Sequence, residues 1–347
     1  MPLSMKRNTG GVTRRRAFSA AAAALAGTAA LLLGAQRVGA AGGRSSASID
    51  DGIVDITTNL AYQNAAAAGT GMVLTSSGEV LTNNHVIRGA TTIRVTDPST
   101  GKKYAATVVG YDLAADVAVL QLKGASGLQT VSLGDSSKAK VGDAVTALGN
   151  AGGAGGTPIE ATGTITGLGK SITASDGSSS ERLTGLIETD ANIQPGDSGG
   201  PLLDSSGNVI GMDTAASGGF ALQYTGNEAF AIPINRALSI ARQIEAGHSL
   251  TAHIGATAFL GVEVAAGDYF TRGAVVAGVV HSSPAARAGL TYGDVIVTVN
   301  GRTVTSPTTL TALLLKQAPG AKIQIHWIDQ FGTSHTAHVT LASGPAQ

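Results

Sequence analysis

The sequence Gly-Asp-Ser-Gly-Gly-Pro occupies residues 196–201 and leads directly into the apolar pair Leu202 and Leu203. Glycines lack a Cβ, so the backbone on both sides of Ser198 can turn tightly. Such a turn exposes the serine hydroxyl and aims the neighbouring backbone N–H groups at one point. We therefore interpret Ser198 as a nucleophile. The N–H groups of Gly196 and Ser198 would form an oxyanion hole, in which one donor contributes about 10²–10³ in rate.

A nucleophilic serine needs a base, and the chain offers few candidates. Of its seven histidines, six lie at or after His248. His85 alone precedes that position, and it lies at the end of a predicted strand, where a side chain can face a cleft. His85 is therefore the predicted general base for Ser198.

The base in turn needs a carboxylate that orients the imidazole and stabilises its charged form. Asp112 and Asp116 are both close to His85 in the sequence. Asp116 opens the predicted strand at residues 117–122, where a carboxylate can be partly buried, whereas Asp112 lies in the polar turn before it. The sequence favours Asp116 and leaves Asp112 as the alternative.

Composition limits the kinds of protein that this chain can be. The 347 residues include 23 Lys and Arg, 23 Asp and Glu and no cysteine, which excludes disulfides and thiolate metal sites. Six of the basic residues lie within residues 1–40, which leaves 17 basic against 23 acidic residues afterwards. That balance disfavours nucleic-acid binding through a basic surface. The hydrophobic fraction of 43% is sufficient for a large core.

The first 40 residues have the pattern of an export signal. Three arginines at residues 14–16 precede an uncharged stretch at residues 17–35, and the small residues at 38–40 suit cleavage near Ala40. We expect a protein exported by the Sec or the twin-arginine route to the outside, the cell wall or a periplasm-like space. An uncleaved anchor is the alternative, because 19 apolar residues can just span a bilayer.

After the leader, the sequence predicts a mostly β chain of two domains. Short apolar runs between turn residues are typical of a β-barrel or sandwich over residues 41–245, which end in a helix near residues 235–244. A polar linker follows at residues 246–255. Residues 256–343 then contain four predicted strands and helical segments near 284–289 and 307–316.

These motifs resemble the HtrA (DegP-like) serine proteases. The resemblance rests on TNNHV at residues 82–86, DVAVL at 116–120, GDSGGP at 196–201 and FAIP at 230–233, and the composition is closest to exported actinobacterial members. It implies a chymotrypsin-like double β-barrel followed by a small α+β PDZ domain. It also implies an endopeptidase that hydrolyses unfolded or damaged proteins through an acyl-enzyme, needs no cofactor or metal, and forms a homo-oligomer, often a trimer.

The last ninety residues resemble the PDZ domains attached to such proteases. Phe259, Leu260, Gly261 and Val262 correspond to the loop that binds a peptide carboxylate, and the strand after it would pair with the peptide by β-augmentation. The resemblance therefore implies that Leu260, Gly261 and Val262 bind the C-termini of substrate or regulatory peptides. A small αβ domain without a ligand is the alternative.

Two features depart from the family pattern. Family members usually have asparagine just before the nucleophile, whereas this chain has Asp197. The digestive relatives also have aspartate there, and it pairs with a new N-terminus after cleavage of the zymogen. Here Ile53 and Val54 follow Gly52 rather than a basic residue, so that activation route has no evident cleavage site. The segment from Ile53 to Gly71 is also too short for the long regulatory loop of some members.

The resemblance also locates a substrate pocket. Asn192, six positions before the nucleophile, would form its floor, and the walls would be uncharged: Thr214, Ala215, Ala216, Phe230 and Ala231. An amide cannot offset the desolvation of a cation, so we expect cleavage after Val, Ala, Ile or Leu. A chaperone or peptide-binding adaptor with a latent site is the alternative function, against which the complete set of His85, Asp116 and Ser198 argues.

Overall fold

The computed structural model describes residues 48–175, 180–214, 221–222, 228–266 and 272–347. The predicted leader at residues 1–40 lies outside these residues, as do Ala215 and Ala216 of the predicted pocket. Within the described part of the chain, no helix combines the length and the apolar character needed to cross a membrane.

Strands dominate the structure, as the sequence predicts. They are β1 (Ile53–Leu60), β2 (Ala65–Val73), β3 (Glu79–Thr82), β4 (Thr92–Asp97), β5 (Lys102–Asp112), β6 (Val117–Leu122), β7 (Ala144–Gly149), β8 (Ile159–Ser175), β9 (Ser180–Thr189), β10 (Pro201–Asp204), β11 (Val209–Thr214), β12 (Ala221–Leu222), β13 (Ala229–Pro233), β14 (His253–Ile254), β15 (Thr257–Phe259), β16 (Val262–Ala266), β17 (Ala274–Val279), β18 (Val295–Val299), β19 (Arg302–Thr303), β20 (Lys322–Ile328), β21 (Ser334–Thr340) and β22 (Ala342–Gly344). The helices are α1 (Asn84–Ile87), α2 (Ile234–Glu245), α3 (Pro284–Ala288) and α4 (Pro307–Leu314), with 3-10 turns at Ala61–Gln63, Ser136–Lys138 and Ala151–Gly153.

The first barrel is an antiparallel sheet in the order β14-β5-β4-β1-β2-β3-β6, which closes because β5 also pairs with β6. Closure removes the exposed edges that an open sheet would present. The interior is filled by aliphatic side chains with period two along the strands, for example Ile56, Val95 and Leu120.

The second barrel repeats this arrangement in the order β12-β8-β7-β10-β11-β13-β9, and pairing of β8 with β9 closes it. Its interior holds Val145, Ile165, Leu202 and Ala231 among others. A further apolar cluster joins residues of both barrels, including Met72 and Leu81 of the first and Met212 and Phe230 of the second. The protein therefore has the chymotrypsin-like double β-barrel that the resemblance implies.

Helix α2 closes the double barrel because its apolar residues recur at helical spacing. Ile234, Ala237, Leu238, Ala241 and Ile244 form one buried stripe. This stripe belongs to the cluster shared by the two barrels. The helix thus covers the seam between them.

The C-terminal domain has a sheet in the order β16-β17-β18-β20-β21, with β19 beside β18 and a separate pair of β15 and β22. Both of its helices begin as the sequence suggests. Ser283 accepts a hydrogen bond from the Ala286 N–H at the start of α3, and Ser306 accepts one from the Thr309 N–H at the start of α4. Proline follows each of these serines in the first turn, where its missing N–H costs nothing.

The linker is more structured than its composition suggests. Its last part forms β14, which pairs with Gly110 and Tyr111 of β5 and so extends the first barrel. The buried Tyr111 hydroxyl contacts Thr257 Oγ1 at 3.1 Å, at the start of the C-terminal domain. Ala346, from the last residues of the chain, packs in the cluster of the first barrel. The C-terminal domain is therefore attached to the first barrel by several contacts besides the linker.

Candidate active site

His85 lies on α1, the one-turn helix that follows β3. Its Nδ1 is 2.8 Å from Asp116 Oδ2, and its backbone N–H donates to Asp116 Oδ1 at 2.9 Å. The carboxylate therefore holds both the ring and the backbone of the histidine. With Nδ1 engaged by Asp116, Nε2 is the nitrogen that can take up a proton from a hydroxyl.

Asp116 adopts a left-handed backbone conformation, with φ at 55°. This conformation is unfavourable for a residue with a Cβ and persists where surrounding contacts enforce it. Here the Asp116 carbonyl accepts from Asn83 Nδ2 at 2.9 Å, and Asp116 Oδ2 accepts from the Thr214 hydroxyl at 3.2 Å. Asn83 and Thr214 thus position the aspartate that positions His85.

Asp112, the alternative partner in the sequence, has other contacts. Its Oδ1 accepts from the Ala115 N–H at 3.0 Å, and its Oδ2 accepts from the Thr251 hydroxyl. Asp112 therefore stabilises the turn between β5 and β6 and ties it to the linker. Of the two carboxylates, the structure pairs Asp116 with His85.

The turn around Ser198 depends on its glycines. Gly196 and Gly199 have φ angles of 106° and 85°, in the region that favours glycine. A Cβ at Gly196 would lie 2.1 Å from the Asn150 carbonyl oxygen, and one at Gly199 would lie 2.2 Å from both the Thr70 carbonyl oxygen and the Thr82 hydroxyl. The motif therefore requires glycine for close approach as well as for backbone conformation.

Hydrogen bonds to the carbonyls of the turn orient its N–H groups. The Pro195 carbonyl accepts from the Gly152 N–H at 2.8 Å, and the Asp197 carbonyl accepts from the Gly200 N–H at 2.8 Å. In a trans peptide the N–H points opposite to the C=O. The N–H groups of Gly196 and Ser198 consequently point away from these donors, and that of Gly196 meets no acceptor within the described part of the chain. This geometry suits the predicted oxyanion hole.

The serine turn packs against the segment that leads to His85. Thr70 of β2 donates its N–H to the Ser198 carbonyl at 2.8 Å, and its hydroxyl donates to the Gly196 carbonyl at 2.8 Å. The Cβ position of Gly199 is 3.2 Å from the Asn83 nitrogen, two residues before His85. Two barrels therefore contribute to one site, with His85 and Asp116 from the first and Ser198 from the second.

Sequence reasoning missed the supporting role of Thr70. It lies in the strand sequence AAAAGTGMV without any local signal that separates it from other threonines. Its side chain donates to the Gly196 carbonyl and accepts from the Asn150 N–H at 2.9 Å. A residue of this kind is recognisable only when the two barrels are assembled.

Four of the predicted pocket residues lie within the described part of the chain. Asn192 is exposed, and its side-chain oxygen accepts from Gln194 Nε2 at 2.7 Å. Thr214, predicted as a wall, also donates its hydroxyl to Asp116. Phe230 and Ala231 are adjacent on β13 and belong to different apolar clusters, on opposite faces of the strand.

Two buried carboxyl groups, those of Asp197 and Asp213, belong to the serine turn and to the strand beside it. Burial raises the pKa of Asp197 to about 6, although the Gln194 N–H bonds to its carboxylate and opposes the increase. Burial also raises the pKa of Asp213 well above its ordinary value, and the charge of Asp197 adds to the increase. Asp213 precedes Thr214 on β11, and its backbone is hydrogen-bonded to Gly199 and Gly200 of the serine turn.

The predicted carboxylate loop lies at the start of β16. The Leu260 carbonyl accepts from the Ala285 N–H of α3 at 2.9 Å, and the Gly261 carbonyl accepts from the N–H of Val280, just after β17, at 3.0 Å. The N–H groups of Gly261 and Val262 therefore point the other way. A cavity of about 440 Å³ lies beside β16 and α4, with Phe259, Val262, Val264, Pro307 and Thr311 among its lining residues.

Comparisons with known proteins agree with this architecture. A trypsin-like peptidase domain model matches residues 69–212, and a PDZ domain model matches residues 258–329. The two matched ranges correspond to most of the double barrel and most of the C-terminal domain.

The chain is also similar to named proteases. Serine protease PepD of Mycobacterium tuberculosis is 33% identical over 313 residues, an alignment that covers 85% of this chain and 65% of PepD. The periplasmic pH-dependent serine endoprotease DegQ of Escherichia coli is 35% identical over 264 residues, covering 74% of this chain and 55% of DegQ. The chain thus spans less than two thirds of either relative. The solved HtrA-type protease AlgW with a tripeptide is 30% identical, covers 86% of this chain and 95% of its own, and has a TM-score of 0.48.

Proposed function

This chain belongs to the HtrA-type family of trypsin-like serine proteases with a PDZ domain, and from that premise we propose that it is a serine endopeptidase acting on unfolded or damaged proteins. The observation that carries the proposal is the contact of 2.8 Å between His85 Nδ1 and Asp116 Oδ2, beside a glycine-held serine turn. His85, Asp116 and Ser198 come from distant parts of the sequence, so packing alone does not readily explain why they lie in one region.

In the proposed mechanism, Ser198 Oγ attacks the carbonyl carbon of the scissile peptide while His85 Nε2 takes the serine proton. The carbonyl oxygen becomes an anion that the N–H groups of Gly196 and Ser198 stabilise. His85 then donates its proton to the leaving amine, the C–N bond breaks and an acyl-enzyme remains. Water, deprotonated by His85, then attacks the ester carbonyl carbon. The bond between that carbon and Ser198 Oγ breaks, the acid product leaves, and His85 returns its proton to Ser198 Oγ.

Asp116 acts throughout by orienting the ring and stabilising the imidazolium. Its carboxylate accepts hydrogen bonds from the His85 ring, the His85 backbone and Thr214, which restrict it to one position. The reaction needs no group beyond these side chains and backbone amides.

Labelling with a fluorophosphonate tests this proposal directly, because the reagent reacts with activated serines. We expect stoichiometric labelling of the mature protein and none of Ser198→Ala. Ser136→Ala is a matched control, since Ser136 is the serine of a similar Gly-Asp-Ser sequence at residues 134–136 that lacks the glycines and proline after it. Labelling that persists in Ser198→Ala would remove Ser198 from the proposal.

We further propose that the C-terminal domain binds peptides with free apolar C-termini. The orientation of the Gly261 and Val262 N–H groups supports this, because two convergent amides can hold a carboxylate. Fluorescence anisotropy with paired peptides, free and amidated at the C-terminus, provides the test. Equal affinities for the two forms would contradict a carboxylate loop.

Cleavage after Val, Ala, Ile or Leu stays a prediction about the substrate pocket. Its support is chemical: no charged side chain stands at Asn192 or among the other predicted pocket residues. Mass spectrometry of a casein digest would identify the residues before the cut bonds. A majority of cuts after Arg or Lys would show that the pocket was placed wrongly.

Export through residues 1–40 is also part of the proposal. The relative DegQ is named as periplasmic, which supports an extracytoplasmic location for a protease of this kind. N-terminal sequencing of the protein recovered from its native cells tests the cleavage expected near Ala40. A mature chain that retains residues 1–40 would favour the membrane anchor instead.

A further inference from the structure

Two buried carboxyl groups lie behind the serine turn without a cation to neutralise them. Asp213 is fully buried and Asp197 is 3% exposed. In the described part of the chain, neither pairs with a lysine, an arginine or a histidine. Ionising both carboxyl groups in this buried environment would carry a large energetic cost, because the charge of Asp197 acts on Asp213.

Of the four carboxyl oxygens of Asp197 and Asp213, one accepts a hydrogen bond and three have no partner within the described residues. Asp197 Oδ2 accepts from the Gln194 N–H at 2.8 Å, which favours the ionised form of Asp197. Asp197 Oδ1 and both carboxyl oxygens of Asp213 have no partner within the described residues. A proton on Asp213 would supply a donor, and Asp197 Oδ1 would be its acceptor.

The backbone ties both residues to the catalytic turn. The Asp213 N–H donates to the Gly200 carbonyl at 2.8 Å, and its carbonyl accepts from the Gly199 N–H at 2.9 Å. Asp197 directly precedes Ser198, and its carboxyl packs against Gly149, where a Cβ would lie 2.6 Å from Asp197 Oδ1. Both residues are therefore directly connected to the backbone that carries Ser198.

Few other charges face Asp213. It lies opposite Ala231 of β13, on the face that lines the apolar interior of the second barrel. Strands β7 and β13 carry no titratable side chain, and Asp204 stands at the far end of β10. The residue after Asp213, Thr214, bonds to Asp116, which in turn contacts His85. The remaining titratable residues of the barrel strands are Glu160, Lys170, Glu181, Arg182 and Glu188, and Glu188 is paired with Lys170. Asp197 is the charge that acts on Asp213.

We propose that Asp197 and Asp213 share one proton, donated by Asp213 to Asp197 Oδ1, and that this bond holds the Ser198 turn in its oxyanion-binding conformation. Both are positioning residues, since they act through the backbone of the turn rather than on the substrate. The inference rests on the proposed protease function. It adds an alkaline limit on activity that originates outside the catalytic triad.

The direction of this pH effect follows from the raised pKa values of the pair, which titrates as a unit. The fold favours the protonated form, so the stabilisation is complete below the ordinary pKa of 3.8 and is lost as pH rises through the folded-state values. Asp197 loses its proton near pH 6, and the proton retained by Asp213 is lost at higher pH. Positioning of the turn should fail at that second step.

The test compares Asp213→Asn with Asp213→Ala in the full mature chain, using the fluorophosphonate labelling rate against pH. Asparagine keeps a donor for Asp197 but cannot ionise, so we expect neutral rates within a few-fold of wild type and no alkaline decline. Alanine leaves Asp197 charged and unpartnered, and we expect labelling about 100-fold slower, as for a lost oxyanion donor. Glu160→Gln, which changes an exposed carboxylate on β8, should retain the wild-type profile.

Infrared spectroscopy gives a readout that does not depend on catalysis. In a background of Ser198→Ala and Glu79→Gln at neutral pH, which removes the other carboxyl group whose pKa lies near 7, we expect the carbonyl stretch of one protonated carboxylic acid, and its loss when Asp213→Asn is added. The pair is overturned if that band is absent or survives Asp213→Asn, if asparagine is as harmful as alanine, or if the alkaline decline is unchanged in Asp213→Asn. Failure of the wild type to label would contradict the protease function instead, and the infrared result would still decide the shared proton.

Discussion

Asp116 illustrates how much of this site depends on single residues. It has an unfavourable backbone angle, yet it receives hydrogen bonds from His85, Asn83 and Thr214. Such a strained residue persists because its surroundings determine its position. The strain therefore marks Asp116, rather than Asp112, as the residue around which the site is organised.

Asp116→Asn should preserve the fold and lower kcat by about 10⁴, because the amide no longer selects the imidazole tautomer that accepts the serine proton. Peptidase assays on the purified variant measure this, with circular dichroism to verify the fold. Asp112→Asn is the matched control and should stay near wild-type activity while losing some stability. The assignment would be reversed if the control variant lost the larger activity.

Substitutions of Thr214 test one hydrogen bond to Asp116. Thr214→Val removes the hydroxyl that donates to Asp116 Oδ2 but keeps the shape of the side chain. A hydrogen bond to a charged group contributes about 1.5–3 kcal/mol, so kcat should fall between about tenfold and about a hundredfold. Thr214→Ser, which retains the hydroxyl, should recover most of the rate. Equal activities of the two variants would mean that this hydrogen bond does not position Asp116.

At the scale of elements, the contact between β3 and α2 contains an acidic pair. Burial raises the pKa of Glu79 to about 7, and the hydrogen bond and charge of Glu245 contribute to this increase. Glu79 begins β3, the strand that ends just before His85, and Glu245 ends α2. The pair therefore makes the attachment of the closing helix sensitive to pH.

The contribution of Glu79 to stability should decrease as pH rises. Because the folded-state pKa of Glu79 is raised, its protonated form stabilises the fold fully below about pH 4.5, and that stabilisation is lost as pH rises through about 7. Glu79→Gln should therefore gain stability relative to wild type between pH 5 and about pH 8. Urea midpoints at both pH values measure the effect, with Glu160→Gln as the exposed control. A difference between Glu79→Gln and wild type that is independent of pH would contradict the raised pKa.

At the scale of the whole molecule, the two domains are joined through Tyr111. Its buried hydroxyl contacts Thr257 Oγ1 at 3.1 Å and accepts from the Gln347 N–H at 3.2 Å. Thr257 and Gln347 belong to the start and the end of the C-terminal part of the chain. The Tyr111 side chain of the first barrel thus bonds to both ends of the C-terminal part of the chain.

A double-mutant cycle with Tyr111→Phe and Thr257→Val measures this connection in the full-length protein. Each variant removes one hydroxyl with little change of shape, and we expect a coupling energy of about 1 kcal/mol in urea unfolding. Tyr104→Phe, another buried tyrosine of β5, should show no coupling to Thr257→Val. Additive effects of Tyr111→Phe and Thr257→Val would show that the contact does not contribute to stability.

The local sequence was sufficient to predict the β-rich fold and the residues of the candidate triad. Turn residues between short apolar runs indicate strands wherever they occur, and glycines around a serine indicate a tight turn, because both signals act over a few residues. The double barrel, the PDZ domain and the family are confirmed. The helical spacing of α2 and the serine caps of α3 and α4 are likewise readable without a structure.

Contacts between distant segments required the tertiary structure. The sequence favoured Asp116 over Asp112, but it could not show the contact of Asp116 with His85, the hydrogen bond from Thr214 to Asp116 or the hydrogen bond from Thr70 to the Gly196 carbonyl. It also could not predict that part of the linker extends the first barrel. The physical reason is that the closure of two barrels, rather than any local preference of the chain, brings these groups together. Asp197 and Asp213 acquire raised pKa values for the same reason, since only the assembled fold removes both carboxyl groups from water.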